Sequence, residues 1–250
     1  MKFTRSDYCR GFLLLIAIAG VAFLAVSDLP KIVRDSYRRR ITEPRIIRDY
    51  LESHSVRKLQ LGAGSHAPTG WLNTDIAPRG DQVYLDATKR YPFPDGSFQY
   101  VFSEHMIQAV PWEGGLAMLQ ECYRVLVSGG KLRIVTPDLA KFVSLLTENP
   151  DAEAKRFIAA KLRATGWPET AVTGAYIFNR QAHDWGHQFL YNSATLRKSL
   201  ELAGFKQITE YRVDEKSDPV FREVEMRTRN EGSDLWLVNR WESVAFEAVR

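Results

Sequence analysis

The apolar positions of this chain change period along its length. Short runs at "KLQL" (58–61), Trp71 to Thr74, Gln82 to Leu85, Tyr100 to Ser103 and "KLRIVTP" (131–137) read as strands. Between the last two, "EGGLAMLQECYRVLVSGG" places Leu116, Leu119, Tyr123 and Leu126 on one helical face, and Gly129 with Gly130 predicts its stop. "DLAKFVSLLTE" predicts a helix capped by Asp138, and "SATLRKSLELAG" one capped by Ser193 and stopped at Gly204. "FKQITEYRV" is strand-like, and "WESVAFEAVR" alternates as a terminal strand does. Upstream, "TEPRIIRDYLESH" predicts a lead-in helix with Thr42 as cap and Pro44 in its first turn. Strands alternating with helices predict an α/β, doubly wound and mostly parallel sheet.

The amino end breaks this pattern. From Gly11 to Val26 the chain carries no charge for sixteen residues, with basic residues on both flanks. As a helix this run reaches about 24 Å at 1.5 Å per residue, short of a hydrocarbon core of about 30 Å unless its flanks snorkel or the bilayer is thin. Residues 1–10 then read as a basic tail, 11–29 as a hydrophobic anchor and 30–55 as a basic linker with the lead-in helix. Residues 56–250 read as the folded domain, with an insertion at about 148–180 that lengthens one crossover and is the expected seat of acceptor specificity. Lys31, Arg34, Arg38, Arg39 and Arg40 favour a cytoplasmic domain behind an uncleaved anchor. Ala25 and Ser27 keep a cleaved signal peptide open as the rival, with a soluble cytoplasmic chain as the other alternative.

Composition narrows the partners. The 250 residues are 45% hydrophobic, enough for one full α/β core. Residues 1–58 hold twelve Lys/Arg against six Asp/Glu, leaving twenty-two against twenty-four in the remainder, so the formal charge of +4 belongs to the amino end. A slightly acidic folded domain argues against nucleic acid as partner. Only Cys9 and Cys122 occur, Cys122 at helical spacing among apolar residues, so no disulfide framework is implied.

In doubly wound sheets ligands bind beyond the carboxyl ends of the strands. The first such end is Leu61-Gly62-Ala63-Gly64-Ser65-His66-Ala67. With Ala67 it satisfies a loose dinucleotide fingerprint, yet the next acid, Asp75, follows eleven residues after Gly64 instead of about twenty. Pro68 and Gly70 lie in that interval, which leaves no room for a helix to cradle a pyrophosphate. A carboxylate at Asp75 can accept from both hydroxyls of a ribose, so the expected ligand is a nucleoside without phosphates. Asp86 and Ala87 close the next strand, where a carboxylate suits an exocyclic amine, and Glu104 and His105 close the one after.

These segments resemble class I S-adenosylmethionine-dependent methyltransferases. "LQLGAGS" is similar to their glycine motif, Asp75 to the ribose acid, "LDA" to the adenine-contacting position, "PFPDGSFQYVFSEHMI" to the approach to the fourth strand, and "ECYRVLVSGGKLRIVTPDL" to the helix and strand that follow. The resemblance spans roughly residues 56 to 250 and is nearest to a bacterial group with short glycine loops and a late H-x-x-LY stretch. It implies a Rossmann-like, seven-stranded sheet with an antiparallel last strand, and S-adenosylmethionine as cofactor. By the same resemblance Gly62, Ala63 and Gly64 line methionine, Asp75 with Ile76 holds the ribose, Asp86 and Ala87 face adenine, and Glu104 meets the cofactor edge or braces the loop. The sequence departs from the wider family at Gln60 where an acid is frequent, at His66 in place of a third glycine, and at Ala109 where a histidine is common.

Methyl transfer requires alignment above all, and a base only when the acceptor must lose a proton. His105 is the candidate for that base or for substrate orientation, with a purely structural histidine as the alternative. "HDWGHQFLYN" gathers His183, His187 and Tyr191 as candidate acceptor contacts in a lid. The four-residue spacing of His183 and His187 mimics a zinc-protease helix, but Gly186 and the lack of a third ligand predict no metal site. The anchor and the resemblance point to a lipid-linked or envelope-glycan acceptor at a bacterial inner membrane. A membrane-tethered nucleoside-binding scaffold without activity, motivated by Gln60 and His66, and an NAD-dependent oxidoreductase are the competing readings.

Overall fold

A computed structural model describes residues 31–215, 218–225 and 230–250. The expected anchor, residues 11–29, lies outside the described residues, among which no helix is long and apolar enough to cross a membrane. The described residues fall into two units, divided between Ile46 and Ile47. The described part of the first comprises helix α1 (Lys31–Tyr37), a π-helical turn (Arg38–Thr42) and the start of α2 (Glu43–Ser53).

In the second unit seven strands form one sheet: β1 (Lys58–Leu61), β2 (Leu72–Asp75), β3 (Val83–Tyr84), β4 (Phe98–Glu104), β5 (Leu126–Pro137), β6 (Lys206–Tyr211) and β7 (Ser243–Val249). Their order is β3-β2-β1-β4-β5-β7-β6. β1 to β5 pair in parallel, and β7 runs antiparallel to both β5 and β6. This is a Rossmann-like α/β fold. The chain leaves β1 toward β2 and later returns on the other side of β1 as β4, so the order reverses between β1 and β4 and opens a crevice above their carboxyl ends.

The helices are α3 (Trp112–Val125), α4 (Leu139–Ser144), α5 (Ala152–Thr165), α6 (Gly174–His183), α7 (Ser193–Leu202), α8 (Val220–Val224) and α9 (Asp234–Glu242). The connections β1 to β2, β2 to β3 and β3 to β4 contain no helix. α3 buries Gly115, Met118, Leu119, Cys122 and Val125, which recur at helical spacing, and Trp112 Nε1 donates to Ser199 Oγ of α7 at 3.3 Å. Trp71, Phe102, Val135, Val213, Phe221 and Ala245 form a second cluster that includes α8, and a third joins Phe142, Phe157, Ile177 and Val238 from α4, α5, α6 and α9.

Several boundaries differ from the sequence expectation: Thr42, expected as a cap, lies inside the π-helical turn that runs straight into α2, the helix after Asp138 stops at Ser144, and Trp241, expected in the last strand, belongs to α9. α3 ends at Val125, and Gly129 and Gly130 lie inside β5. The reason is tertiary: Gly129 N–H donates to Arg250 O at 3.1 Å and Arg250 N–H to Gly130 O at 3.0 Å, so the end of β7 captures backbone that local pattern assigns to a helix stop. The cap of α7 is Asn192, whose Oδ1 accepts from Thr195 N–H at 2.8 Å, and Ser193 is the first helical residue. Asp138 does cap α4, accepting from Ala140 N–H at 2.9 Å.

Candidate functional site

The turn after β1 is built from backbone. Gly62 and Gly64 have φ of +68° and +58°, the left-handed region that glycine adopts without strain. A Cβ on Gly62 would stand 2.5 Å from Met106 Cγ, so the residue after His105 presses onto the turn. At Gly64 nothing lies within 4 Å of that position, and the turn is open there. Ala63 N–H donates to Thr74 O at 3.0 Å, and Gln82 Nε2 to Gly64 O at 2.9 Å.

Asp75 closes β2 and is braced from both sides. Its Oδ2 accepts from Gly64 N–H and its Oδ1 from Ala77 N–H, each at 2.8 Å. A carboxylate oxygen accepts more than one hydrogen, so both oxygens retain capacity for hydroxyl donors while the braces fix their direction. Beside it, Ile76 is 59% exposed, an apolar surface next to a polar clamp. Asp86 follows β3. Its Oδ1 accepts from Thr88 Oγ1 at 2.7 Å and Thr88 N–H at 3.0 Å, and the hydroxyl bond holds its carboxyl below the usual range. Ala87 O is 3.3 Å from Tyr91 Oη. An open glycine turn, a directed carboxylate and an exposed apolar side chain fit a ribose-bearing ligand with no phosphate, and no helix follows the turn to hold one.

Across the crevice, Glu104 ends β4 and His105 follows in a left-handed conformation, φ +52°, unusual for a residue with a side chain. His105 N–H donates to Val135 O at 2.9 Å. Its Nε2 lies 2.8 Å from Asn239 Oδ1 and 3.0 Å from Ser243 Oγ, partners from α9 and β7. The Asn239 oxygen only accepts, which makes Nε2 the N–H of the ring.

His105 opens onto a cleft of about 290 Å³, lined also by Gln108, Lys161, Gln181, Trp185, His187 and Glu242. α5, which lies in the insertion, forms its wall with the end of α6 and with α9. Lys161 Nζ and Glu242 Oε2 are 2.6 Å apart and both side chains are buried, a pair that keeps the wall neutral in sum. Trp185 stacks on Trp167 with centroids 6.0 Å apart. A larger groove of about 530 Å³ runs past Asp138, Lys141, Arg212 and Arg240 toward β6, on the half of the sheet away from Asp75.

The structure thus brings Gly62, Ala63, Gly64, Asp75, Ile76, Asp86, Ala87, Glu104 and His105 to one edge of the sheet, with His187 in the adjoining cleft. His183 ends α6 and does not line the cleft. Tyr191 is fully buried, paired to Asp138 through a β-bridge, and its hydroxyl would meet a Cβ placed on Gly115; burial pushes it up to about 12. It underlies the domain and does not reach the cleft. Among the described residues no three His, Cys, Asp or Glu stand together as metal ligands would. Sequence reasoning missed Gln82, Met106, Asn239, Lys161, Gln181 and Glu242, which carry no local motif.

Comparison with known families decides the class of this edge. Residues 59–134 match a family described as "Methyltransferase domain". These residues form a methyltransferase domain. The match runs from β1 into β5, which is the stretch carrying the glycine turn, Asp75, Asp86 and His105. Solved structures similar to the chain include a SAM-dependent methyltransferase from Archaeoglobus fulgidus, 17% identical, covering 89% of this chain and 100% of that one, with a TM-score of 0.46. Another is an S-adenosylmethionine-dependent methyltransferase from Mesorhizobium loti, 16% identical, covering 83% and 96%, with a TM-score of 0.44. No curated protein matches the chain. Over residues 59–134 the chain is similar to methyltransferases.

Proposed function

We propose that the methyltransferase domain moves the methyl group of S-adenosylmethionine to a hydroxyl of a lipid-linked or envelope-glycan acceptor, and that residues 11–29 hold it at the membrane. One observation supports the donor half above others: Asp75, with each oxygen braced by one backbone N–H, stands beside an open glycine turn that no helix follows. The acceptor half rests on the cleft beside His105, and the membrane half on the apolar run and its basic flanks.

The cofactor, when bound, supplies a methyl carbon already activated by a cationic sulfur. The chain's own task is placement. Asp75 accepts hydrogens from ribose hydroxyls, Ile76 offers an apolar face to the base, and Asp86 receives the amine of adenine. Gly62 to Gly64 let the amino-acid end lie against backbone, and Glu104 limits the crevice between that end and His105. Positioning of this kind converts an encounter into an oriented reaction and supplies much of the rate.

Titration calorimetry of the full chain with S-adenosylmethionine and with NAD tests this. The methyl donor is expected to bind and NAD to leave no heat. Asp75→Ala is expected to weaken donor binding by about 2 kcal/mol or more, the cost of unpairing hydrogen-bonded hydroxyls. Binding of NAD alone, or unchanged donor affinity in a folded Asp75→Ala protein, rejects the reading.

A further inference from the structure

Two histidines open onto the same cleft, and their hydrogen bonds give them different chemistry. His187 Nδ1 lies 2.6 Å from Gln181 O. A carbonyl only accepts, so Nδ1 carries the hydrogen and the neutral ring presents its lone pair at Nε2. His105 presents the opposite nitrogen, since its Nε2–H is engaged by Asn239.

The placement of His187 is enforced by the loop after β4. Gln188 N–H and Phe189 N–H donate to Gln108 O at 2.8 and 3.3 Å, and Gln188 Nε2 donates to Ala109 O at 2.8 Å. Gln108 is three residues beyond His105, so the late "HDWGHQF" segment is stapled to the mouth of β4. A second observation points to a ligand. Gln181 is 2% exposed and lines the cleft, and among the described residues its Oε1 has no hydrogen-bond partner. Buried acceptors are normally paired.

We propose that His187 Nε2 is the proton acceptor for a polyol substrate, with Gln181 Oε1 receiving a second hydroxyl hydrogen of the same molecule. This rests on the methyl-transfer reading above. In the step, the substrate O–H bond breaks and its proton passes to Nε2, leaving an imidazolium whose Nδ1–H stays on Gln181 O. The oxygen's electron pair forms the bond to the methyl carbon, and the carbon–sulfur pair remains on sulfur. The proton then returns to water.

The surroundings favour a ring that is neutral before the step. Burial pushes the His187 imidazole down, and the Lys161 ammonium of α5 acts in the same direction. Gln181 O, Glu242 of α9 and Asp184 of its own loop oppose this, and the net shift is downward. His105 on the β4 loop faces the same cleft.

The test uses the full chain with ¹⁵N-labelled histidine, saturated with S-adenosylmethionine, and three probes: glycerol, myo-inositol and methyl glucoside. His187 is expected in the Nδ1–H form, its Nε2 resonance moving on addition of at least one probe, and Gln181→Leu is expected to abolish that movement. With methyl-labelled donor the same probe is expected to accept label, and His187→Gln to slow this by roughly 10²-fold or more, the ordinary share of a general base, with donor affinity held. A His187 ring in the Nε2–H form, no response at His187 to any probe, or label transfer by His187→Gln at the full rate overturns the assignment. Donor binding by calorimetry is read separately: its absence rejects the methyl-transfer reading, whereas binding with an unresponsive His187 rejects this inference alone.

Discussion

At the scale of single residues, the two glycines of the β1 turn share a backbone region and differ in what surrounds them. Gly64→Ala meets no neighbour, so its cost is that of a left-handed side chain, about 1–2 kcal/mol. Gly62→Ala adds a collision with the Cβ and Cγ of Met106, atoms near the main chain that cannot swing aside, and overpacking of this kind costs a further ~1–3 kcal/mol. Urea unfolding of the two variants is expected to rank them in that order, and equal midpoints would show that Met106 moves freely. Asp75 and the glycines were legible in the sequence because all three lie within fourteen residues of one another and their spacing is itself the signal. His105 was legible as a position but not in its bonding. Asn239 and Ser243, 134 and 138 residues downstream, decide which nitrogen it offers, and no local pattern connects them.

At the scale of elements, strand existence followed from apolar runs, while ends were set by partners. The α7 cap shows the difference. Ser193 and Asn192 are both good caps by residue type, and only the bond from Thr195 N–H selects Asn192. Asn192→Ala is therefore expected to cost about 1 kcal/mol, the usual value of a lost cap. Ser193→Ala loses a bond to the exposed Glu210 and is expected to cost less. Thermal melts of the pair measure this, and a larger loss at Ser193 would reverse the assignment. The end of α3 has a similar lesson: glycines that commonly stop helices are here strand residues, because the carboxyl terminus of the chain reaches them with backbone donors and acceptors.

At the scale of the whole molecule, the segment beyond β6 is fastened to the sheet by a buried charge. Arg133 of β5 is fully buried, with Nη1 at 3.0 Å from Glu247 Oε1, Nε at 3.2 Å from Glu225 Oε2, and Nη2 at 3.0 Å from Val213 O. Removing the arginine of such a set takes the buried cation away from carboxylates that stay in the core. Arg133→Met is expected to destabilise by ~3–5 kcal/mol in denaturant titration, and a loss under 1 kcal/mol would mean that the glutamates find water or protons at no cost. Nothing local in "KLRIVTP" marks the arginine as buried, so neither its burial nor its partners were legible. The seven strands and the antiparallel last one, by contrast, were legible through the resemblance, since five motifs in sequence carry topology that periodicity alone does not. The insertion was legible as extra length and as an expected seat of acceptor specificity, but not in its contacts. That it supplies Lys161 to the wall that Gln181 and His187 share depends on how α5 packs on α9, which distant residues determine.

The helix-free connection between β1 and β2 has one more consequence. On this margin Gly64 and Asp75 are joined by a single backbone-to-carboxylate bond and a coil. A molecule gripping the turn with one end and the carboxylate with the other would be a clasp across neighbouring strands, tying β1 to β2 at the rim of the sheet where only coil connects them.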